Sequence, residues 1–491
     1  MYRIESFSFI PMKEFRIPFV FGISIYAILL FAFNGVPDAD IFYHFAIAKL
    51  YLKEGFVSKL PWPEIAIQSK EFTDYHFLFH IIQIPFLILP FEESISIKLF
   101  ILCSISTLLY TVLKYIHSKS QETSPYLIVT FFILGSILFT GRMLFGRGNL
   151  IFFSIYFLCL NHWHPKFIYR IFAISFLSVW TYSGFPYLVI TAICIFSLDP
   201  KKDNFKILTA ILSGIVFGLL LHPSFPYQFK GYFIELILQT MPPNGIEPIA
   251  EWLAPTRDII ILGFVFIFPL LLLTFKNLLQ NKWEPTSIVF LFLGITNLIF
   301  AGSSMRVFEI SWLMFFVFIF SNLKLSRNYQ LAVTIFLFII QFPIAYDKMG
   351  QQFKSSESKY GQIVTDWIRF NVPKGERIFL SWADYPYFTF KIPEYRYLFG
   401  LNPLYAWSYD QNSYFTQKAF FESNVQGFEM IPKVMNYNTV VINKQYYGYT
   451  AKSFRAVSID YFLAFENEKY AIFVKTEPNK NNTKQNNINP K

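Results

Sequence analysis

The side chains in this sequence that could do chemistry fall into a few short strings. The first, Pro37-Asp38-Ala39-Asp40-Ile41-Phe42-Tyr43-His44, carries two carboxylates one residue apart. Such a pair can bind a hard divalent cation whose remaining positions are filled by water and phosphate oxygens. If the chain turns helical at Asp40, then Asp40, Tyr43 and His44 share one face. The competing reading is structural, because Asp at a helix start commonly caps it or complements its dipole. The second string, Asp74-Tyr75-His76-Phe77-Leu78-Phe79-His80, puts His76 and His80 on one helix face with Asp74 just ahead. That is the spacing of a metal or proton-transfer cluster, and equally of two histidines satisfied at an interface. Cost favours function: ionisable groups at the edge of an apolar stretch are expensive and tend to line cavities.

Three further strings are weaker. His222-Pro223-Ser224 opens a polar loop that continues to Asn244-Gly245-Ile246-Glu247-Pro248-Ile249-Ala250-Glu251-Trp252, where Glu247, Glu251 and Trp252 could hang over a membrane cavity or be merely solvated. Arg306, at the start of an apolar block, could grip a phosphate, or pair with Glu309 at i, i+3. Near the C-terminus, Ser381-Trp382-Ala383-Asp384-Tyr385-Pro386 places an acid between aromatic residues.

The elements that must position these residues are written for lipid. Of 491 residues, 54% are hydrophobic, 62 are Phe and only 15% are charged, with a mean hydropathy of +0.40, outside the soluble range. The net charge of +10 reflects Lys and Arg in cytoplasmic loops and gives no reason to expect nucleic acid as a partner. The three cysteines, Cys103, Cys159 and Cys194, all lie in apolar blocks, which argues for inert packing residues and against a disulfide framework or a Cys metal site. About twelve apolar blocks approach spanning length. One orientation puts the short basic loops on the cytoplasmic side, provided that the Pro-containing segment 76–90 does not cross. The expectation is therefore a polytopic α-helical membrane protein with about eleven transmembrane helices. The first helix is retained rather than cleaved.

In that orientation residues 1–346 form the transmembrane domain, with outer loops at 35–94 and 222–257. The turn at Gly302–Arg306 and everything after about residue 347 are also outside. Residues 350–477 read as a small soluble α/β domain, with strands at 377–380, 439–442 and 470–474. The tail 478–491, NKNNTKQNNINPK from Asn479, reads as disordered. Its Asn481-Asn482-Thr483 sequon is a weak signal.

Taken together, the strings and the architecture resemble the GT-C class of membrane glycosyltransferases, distantly the oligosaccharyltransferase catalytic subunits and protein O-mannosyltransferases. The likeness is nearest to uncharacterised bacterial GT-C-like membrane proteins over residues 15 to 410, where D-A-D…Y-H, D-x-H-F-L-F-H, E-W and R-x-x-E strings occur in this order. The acidic pair looks like the first-loop D-x-D motif of the class, and Glu247 and Glu251 look like its later external-loop acid. Trp382, Asp384 and Tyr385 fit the W-W-D-Y-G signature of oligosaccharyltransferases, but Ser381 replaces Trp and Pro386 replaces Gly, so acceptor-sequon recognition does not carry over.

The resemblance implies a sugar transferred from a polyprenyl-phosphate-linked donor to an envelope acceptor (glycan, lipid or protein), on the outer face of the cell's inner membrane. It implies Asp40 or Asp38 as base or ligand of Mg²⁺ or Mn²⁺, and Glu251 closing the site. His44, Asp74, His76, His80, Glu247, Trp252, Trp382 and Asp384 shape it, and Arg306 holds the lipid phosphate. A transporter or flippase is the main rival, although no internal repeat supports it. A polysaccharide polymerase or ligase outside the class, and a scaffold, are the others.

Overall fold

A computed structural model of the chain describes residues 13–120, 122–238, 241, 243, 246, 255–279, 283–301, 304–356, 359–431 and 435–476. These divide into two compact units: Met1–Ser58 with Glu71–Ser358, and Lys59–Lys70 with Lys359–Lys491. The boundary expected near residue 350 is therefore joined by a second crossing of the chain, because twelve residues of the first polar loop belong to the C-terminal unit.

The first unit is helical. Glu93–Lys119, Lys202–Leu220, Met305–Asn322 and Arg327–Phe353 are each long and apolar enough to cross a membrane. Two further candidates are bent pairs: Pro125–Leu134 with Ile137–Met143, at 82°, and Arg257–Phe264 with Ile267–Leu278, at 54°. Shorter apolar helices are Phe15–Phe31, Phe77–Leu87, Gly148–Asn161, Pro186–Leu198 and Pro285–Ala301. At about 1.5 Å per residue, the 11 residues of Phe77–Leu87 rise only about 16 Å, well short of a hydrocarbon layer about 30 Å thick.

Two details of this unit position the site. The apolar block 125–141 is broken at Gly135-Ser136, where the Ser136 side chain caps the following helix by accepting from the Phe139 N–H at 3.2 Å. The break turns the chain into the short stretch 142–148. Behind it, Phe139 stacks on Trp312 at a centroid distance of 4.1 Å. Trp312 is fully buried and fixes the helix Met305–Asn322 less than one turn past Glu309.

The second unit contains a five-stranded sheet. In chain order the strands are β1 (Arg377–Phe379), β2 (Arg396–Tyr397), β3 (Thr439–Asn443), β4 (Tyr461–Glu466) and β5 (Tyr470–Lys475), and in space the order is β2-β1-β3-β5-β4. β1 pairs parallel with β2 and β3, whereas β5 pairs antiparallel with β3 and β4. Helices Tyr385–Lys391, Gln411–Phe421 and Lys444–Val457 accompany the sheet. Every residue of β3 is buried, the pattern of a central strand covered on both faces. Glu64, from the inserted segment, accepts from Arg377 at 2.6 Å and from the Tyr437 hydroxyl at 2.8 Å.

Candidate functional site

The helix Asp40–Glu54 begins after Ala39 with no side-chain cap, so neither Asp of the D-A-D string is a cap. Asp40 sits in the first turn, where its charge favours the helix dipole. Both carboxylates turn instead to Arg147. One terminal guanidinium nitrogen of Arg147 lies 2.8 Å from Asp38 Oδ2 and 3.0 Å from Asp40 Oδ2, and its Nε donates to Asp38 at 2.9 Å. The side chains of Arg147 and Asp38 are 14% and 15% exposed and that of Asp40 33%, so Asp40 is the carboxylate more open to a substrate.

Arg147 is delivered by the turn after the broken helix. Gly146 has φ +67°, and a Cβ there would lie 2.5 Å from Ile101; the position requires glycine. At Gly148 a Cβ would stand 3.2 Å from His76 Nδ1, which puts the backbone of this turn against the histidines. Phe145 lies between two cations, 5.2 Å from the Arg142 guanidinium and 5.1 Å from that of Arg147. Arg142 in turn pairs with Glu309 at 3.3 Å, and Glu309 also accepts from Asn149 at 3.0 Å. Glu309, weighed from sequence as a partner of Arg306 and 5% exposed, thus meets Arg142 and Asn149.

Behind the acidic pair lies a buried polar chain. Asp74 Oδ2 accepts from the Tyr51 hydroxyl at 2.6 Å and lies 2.7 Å from His80 Nδ1, while Oδ1 accepts from the His76 N–H at 3.0 Å. His80 Nε2 is 2.8 Å from His44 Nδ1. The Asp74 N–H donates to Ser224 Oγ, whose own N–H donates to His222 Nδ1, so the start of the second polar loop is tied to the same carboxylate. His76 stacks on Tyr182 and lies 3.2 Å from the Thr181 carbonyl.

All of these groups lie outside the helices long enough to span. Burial alone would raise the Asp74 carboxyl, but His80 beside it and the hydrogen bonds from His80 and Tyr51 hold it below the ordinary carboxylate value. Burial, then repulsion from His80, His76, Arg147 and Arg306, depresses His44 well below 6.5. Arg306 is thus close enough for its charge to reach this cluster.

The sequence-derived residues thus divide. Asp38 and Asp40 meet on Arg147, and His44, Asp74, His76 and His80 form a second group beside it, the two adjoining where Gly148 backs onto His76; Arg306 stands within electrostatic range. Glu247, Glu251 and Trp252 lie outside the described residues. Trp382 and Asp384 belong to the C-terminal unit, where Asp384 is buried and accepts from Ser381 at 2.5 Å, Asn443 at 2.8 Å and Tyr470 at 3.1 Å. This carboxylate ties β3 and β5 to the loop after β1, and burial pushes it above the ordinary value.

Sequence reading did not single out Tyr51, Arg142, Arg147 or Asn149. For a divalent ion the described donors fit poorly. The two carboxylates converge on a guanidinium that already balances them, and among the described residues no group of three or more His, Cys, Asp or Glu could hold a metal.

No protein-family model and no curated protein matches this sequence. Its fold is that of the GT-C membrane glycosyltransferases. Among solved structures, the archaeal oligosaccharyltransferase AglB from Archaeoglobus fulgidus, in complex with an inhibitory peptide and a dolichol-phosphate, aligns with a TM-score of 0.62 at 11% identity, over 90% of this chain and 70% of its own. ArnT from Cupriavidus metallidurans, bound to undecaprenyl phosphate, aligns with a TM-score of 0.55 at 10% identity over 94% and 98% of the two chains. The mycobacterial arabinofuranosyltransferase AftD aligns at 0.52 and 10% identity, over 93% of this chain and 41% of its own.

Proposed function

We propose that this protein is a membrane glycosyltransferase that moves a sugar from a polyprenyl-phosphate-linked donor to an envelope acceptor on the extracytoplasmic face of the inner membrane. The observation that carries the reading is the gathering of Arg147 with Asp38 and Asp40 beside a buried histidine cluster, on a fold shared with proteins solved with dolichol phosphate and undecaprenyl phosphate.

Cleaving a sugar–phosphate bond builds negative charge on the departing phosphate, which cations held in place beforehand stabilise. Arg306, at the start of its helix, and Arg147 supply that charge. Asp38, with two contacts to Arg147, fixes the guanidinium plane. Asp40, more open, orients the acceptor hydroxyl. Glu247, Glu251 and Trp252 are assigned to the same site from sequence, with the C-terminal unit on the same side of the membrane.

The test is made on purified full-length protein in nanodiscs. Undecaprenyl phosphate should raise its thermal stability, and a panel of undecaprenyl-phosphate-linked monosaccharides, incubated with envelope extract, should release undecaprenyl phosphate. Release should fall at least about 100-fold in Arg306→Ala. A carrier would bind the lipid phosphate without releasing it from any sugar, and that result would overturn transfer.

A further inference from the structure

The chain Tyr51–Asp74–His80–His44 has a direction that fixes where its protons are. Asp74 is an ionised carboxylate and only accepts, so the hydrogen shared with His80 is on His80 Nδ1. In the state where His80 is neutral, its Nε2 presents a lone pair and the hydrogen between the two rings is on His44 Nδ1. His44 is left with an unprotonated Nε2, which makes no hydrogen bond among the described residues. His44 is 8% exposed while His80 and Asp74 are 1% and 2% exposed. His44, the least buried of the three, is thus the one carrying the bare lone pair.

The charges around the chain decide which ring should hold an added proton. Around His44 stand His76, Tyr43, Arg306 and Arg147, the last paired with the Asp38 and Asp40 carboxylates, and both arginines still act against a proton on His44. Around Asp74 and His80 stand Tyr51, His76, His222 and Tyr232, all neutral or donating. A positive charge on His44 is opposed first by burial and then by His80, His76 and the two arginines. Moved one ring inward, it sits 2.7 Å from a carboxylate. The low dielectric of the interior enlarges that difference.

We propose, on the glycosyl-transfer reading above, that His44, His80 and Asp74 form a one-proton relay that removes the acceptor's proton and holds it inside the protein during transfer. The acceptor O–H proton passes to His44 Nε2 as its oxygen bonds to the sugar's anomeric carbon and the sugar–phosphate bond breaks, with the electron pair leaving on the phosphate. His44 Nδ1 simultaneously gives its hydrogen to His80 Nε2. His80 becomes an imidazolium paired with Asp74, and His44 remains neutral with its hydrogen moved from Nδ1 to Nε2. Resetting returns the proton outward by the same route. Asp38 and Asp40 already accept from Arg147, which leaves this role to the histidines. Tyr51 and the His76 N–H position Asp74.

The experiment is nitrogen NMR of the full chain, labelled with ¹⁵N-histidine, in nanodiscs between about pH 8 and pH 5. There are seven histidines, and His44→Gln and His80→Gln assign the two rings. We expect His44 to carry hydrogen on Nδ1 at high pH and, on acidification, to switch to Nε2 while remaining neutral as His80 becomes the imidazolium. Asp74→Asn should abolish the switch, move the acid limb of the transfer rate about one pH unit lower, and cut the plateau rate about 100-fold. The relay is overturned if His44 holds its hydrogen on Nε2 at high pH, if His44 itself becomes the imidazolium, or if Asp74→Asn changes neither readout. A tautomer switch without release of lipid phosphate from any donor would instead support the chain's proton chemistry and overturn glycosyl transfer.

Discussion

Arg147 joins two carboxylates that would otherwise repel each other. Replacing it with Ala leaves Asp38 and Asp40 converging without a cation. Because Asp40 is a third exposed, the loss should be about 2 kcal/mol, below the roughly 3–5 kcal/mol of a fully buried pair. The vacated position then suits a divalent ion. Arg147→Ala should melt earlier than wild type in a thermal-shift assay, and millimolar Mg²⁺ or Mn²⁺ should recover part of the loss in the variant while leaving wild type unmoved. Equal responses of the two proteins would show that the acids do not converge.

The buried histidines make a second claim at this scale. His76 is lowered to about 3, by burial and then by His80, and His222 to about 4, by burial. Each is neutral when folded and charged when unfolded at mildly acid pH, so the unfolded chain binds more protons. Their contribution is complete above the ordinary value of 6.5 and is lost as pH falls toward 4. Melting temperature should therefore decline from pH 7 to pH 5, and His222→Gln should flatten that decline; an unchanged slope would contradict it.

The polar strings at 38–44 and 74–80 were legible because charged groups stand out against apolar sequence, and the structure brings both into one network. Arg142 and Arg147 were not singled out, though a signal existed. The orientation that puts the other short basic loops in the cytoplasm leaves the short connection holding Arg142 outside, against the positive-inside bias. A cation kept on the unfavoured side needs a partner, and both arginines have acidic ones.

Among the elements, the turn 142–148 is the one that most directly places the site, and its geometry depends on glycine. Gly146→Ala forces a side chain into a left-handed conformation and against Ile101, at a cost of about 1–3 kcal/mol. Any relaxation displaces Arg147 from the acidic pair. The variant should lose stability and show the Mg²⁺ recovery expected of Arg147→Ala, a combination that a simple packing defect would not produce. The break that creates this turn was hidden in the sequence, since Gly135-Ser136 interrupts a block otherwise apolar enough to read as one crossing. The strands at 377–379, 439–443 and 470–475 fall where β-branched and aromatic runs suggested. The assignment of residues 59–70 to the same unit was not legible, because Glu64 meets Arg377 and Tyr437 across more than three hundred positions and leaves no local pattern.

At the scale of the whole molecule, composition made a membrane protein legible and charge bias gave an orientation. The spans are harder, because several helices are shorter than a bilayer and two candidates are bent. What has to hold is that the residues of one network share one compartment. The contacts of Asp38 and Asp40 with Arg147, and the turn that sets Gly148 against His76 in the group with Asp74 and His44, already require this, whereas Lys119 and Lys324, which pair with Glu284 and Glu122 in the basic loops, should lie on the opposite side.

Single cysteines in a background lacking Cys103, Cys159 and Cys194 decide the matter. Thr73, near the acid–histidine network, Glu251 and Trp382 should label with a membrane-impermeant maleimide from outside intact cells, and Lys119 and Lys324 only after permeabilisation. Labelling of positions 73 and 251 from opposite sides would separate the later acid from the Asp74 network and remove Glu251 from the site. Labelling of positions 73 and 119 from the same side would undo the orientation. With Thr73, Glu251 and Trp382 outside together, the lipid-linked donor and its acceptor must both be sought in the extracytoplasmic compartment, where no nucleotide sugar is at hand and the energy for transfer has to arrive already stored in the sugar–phosphate bond.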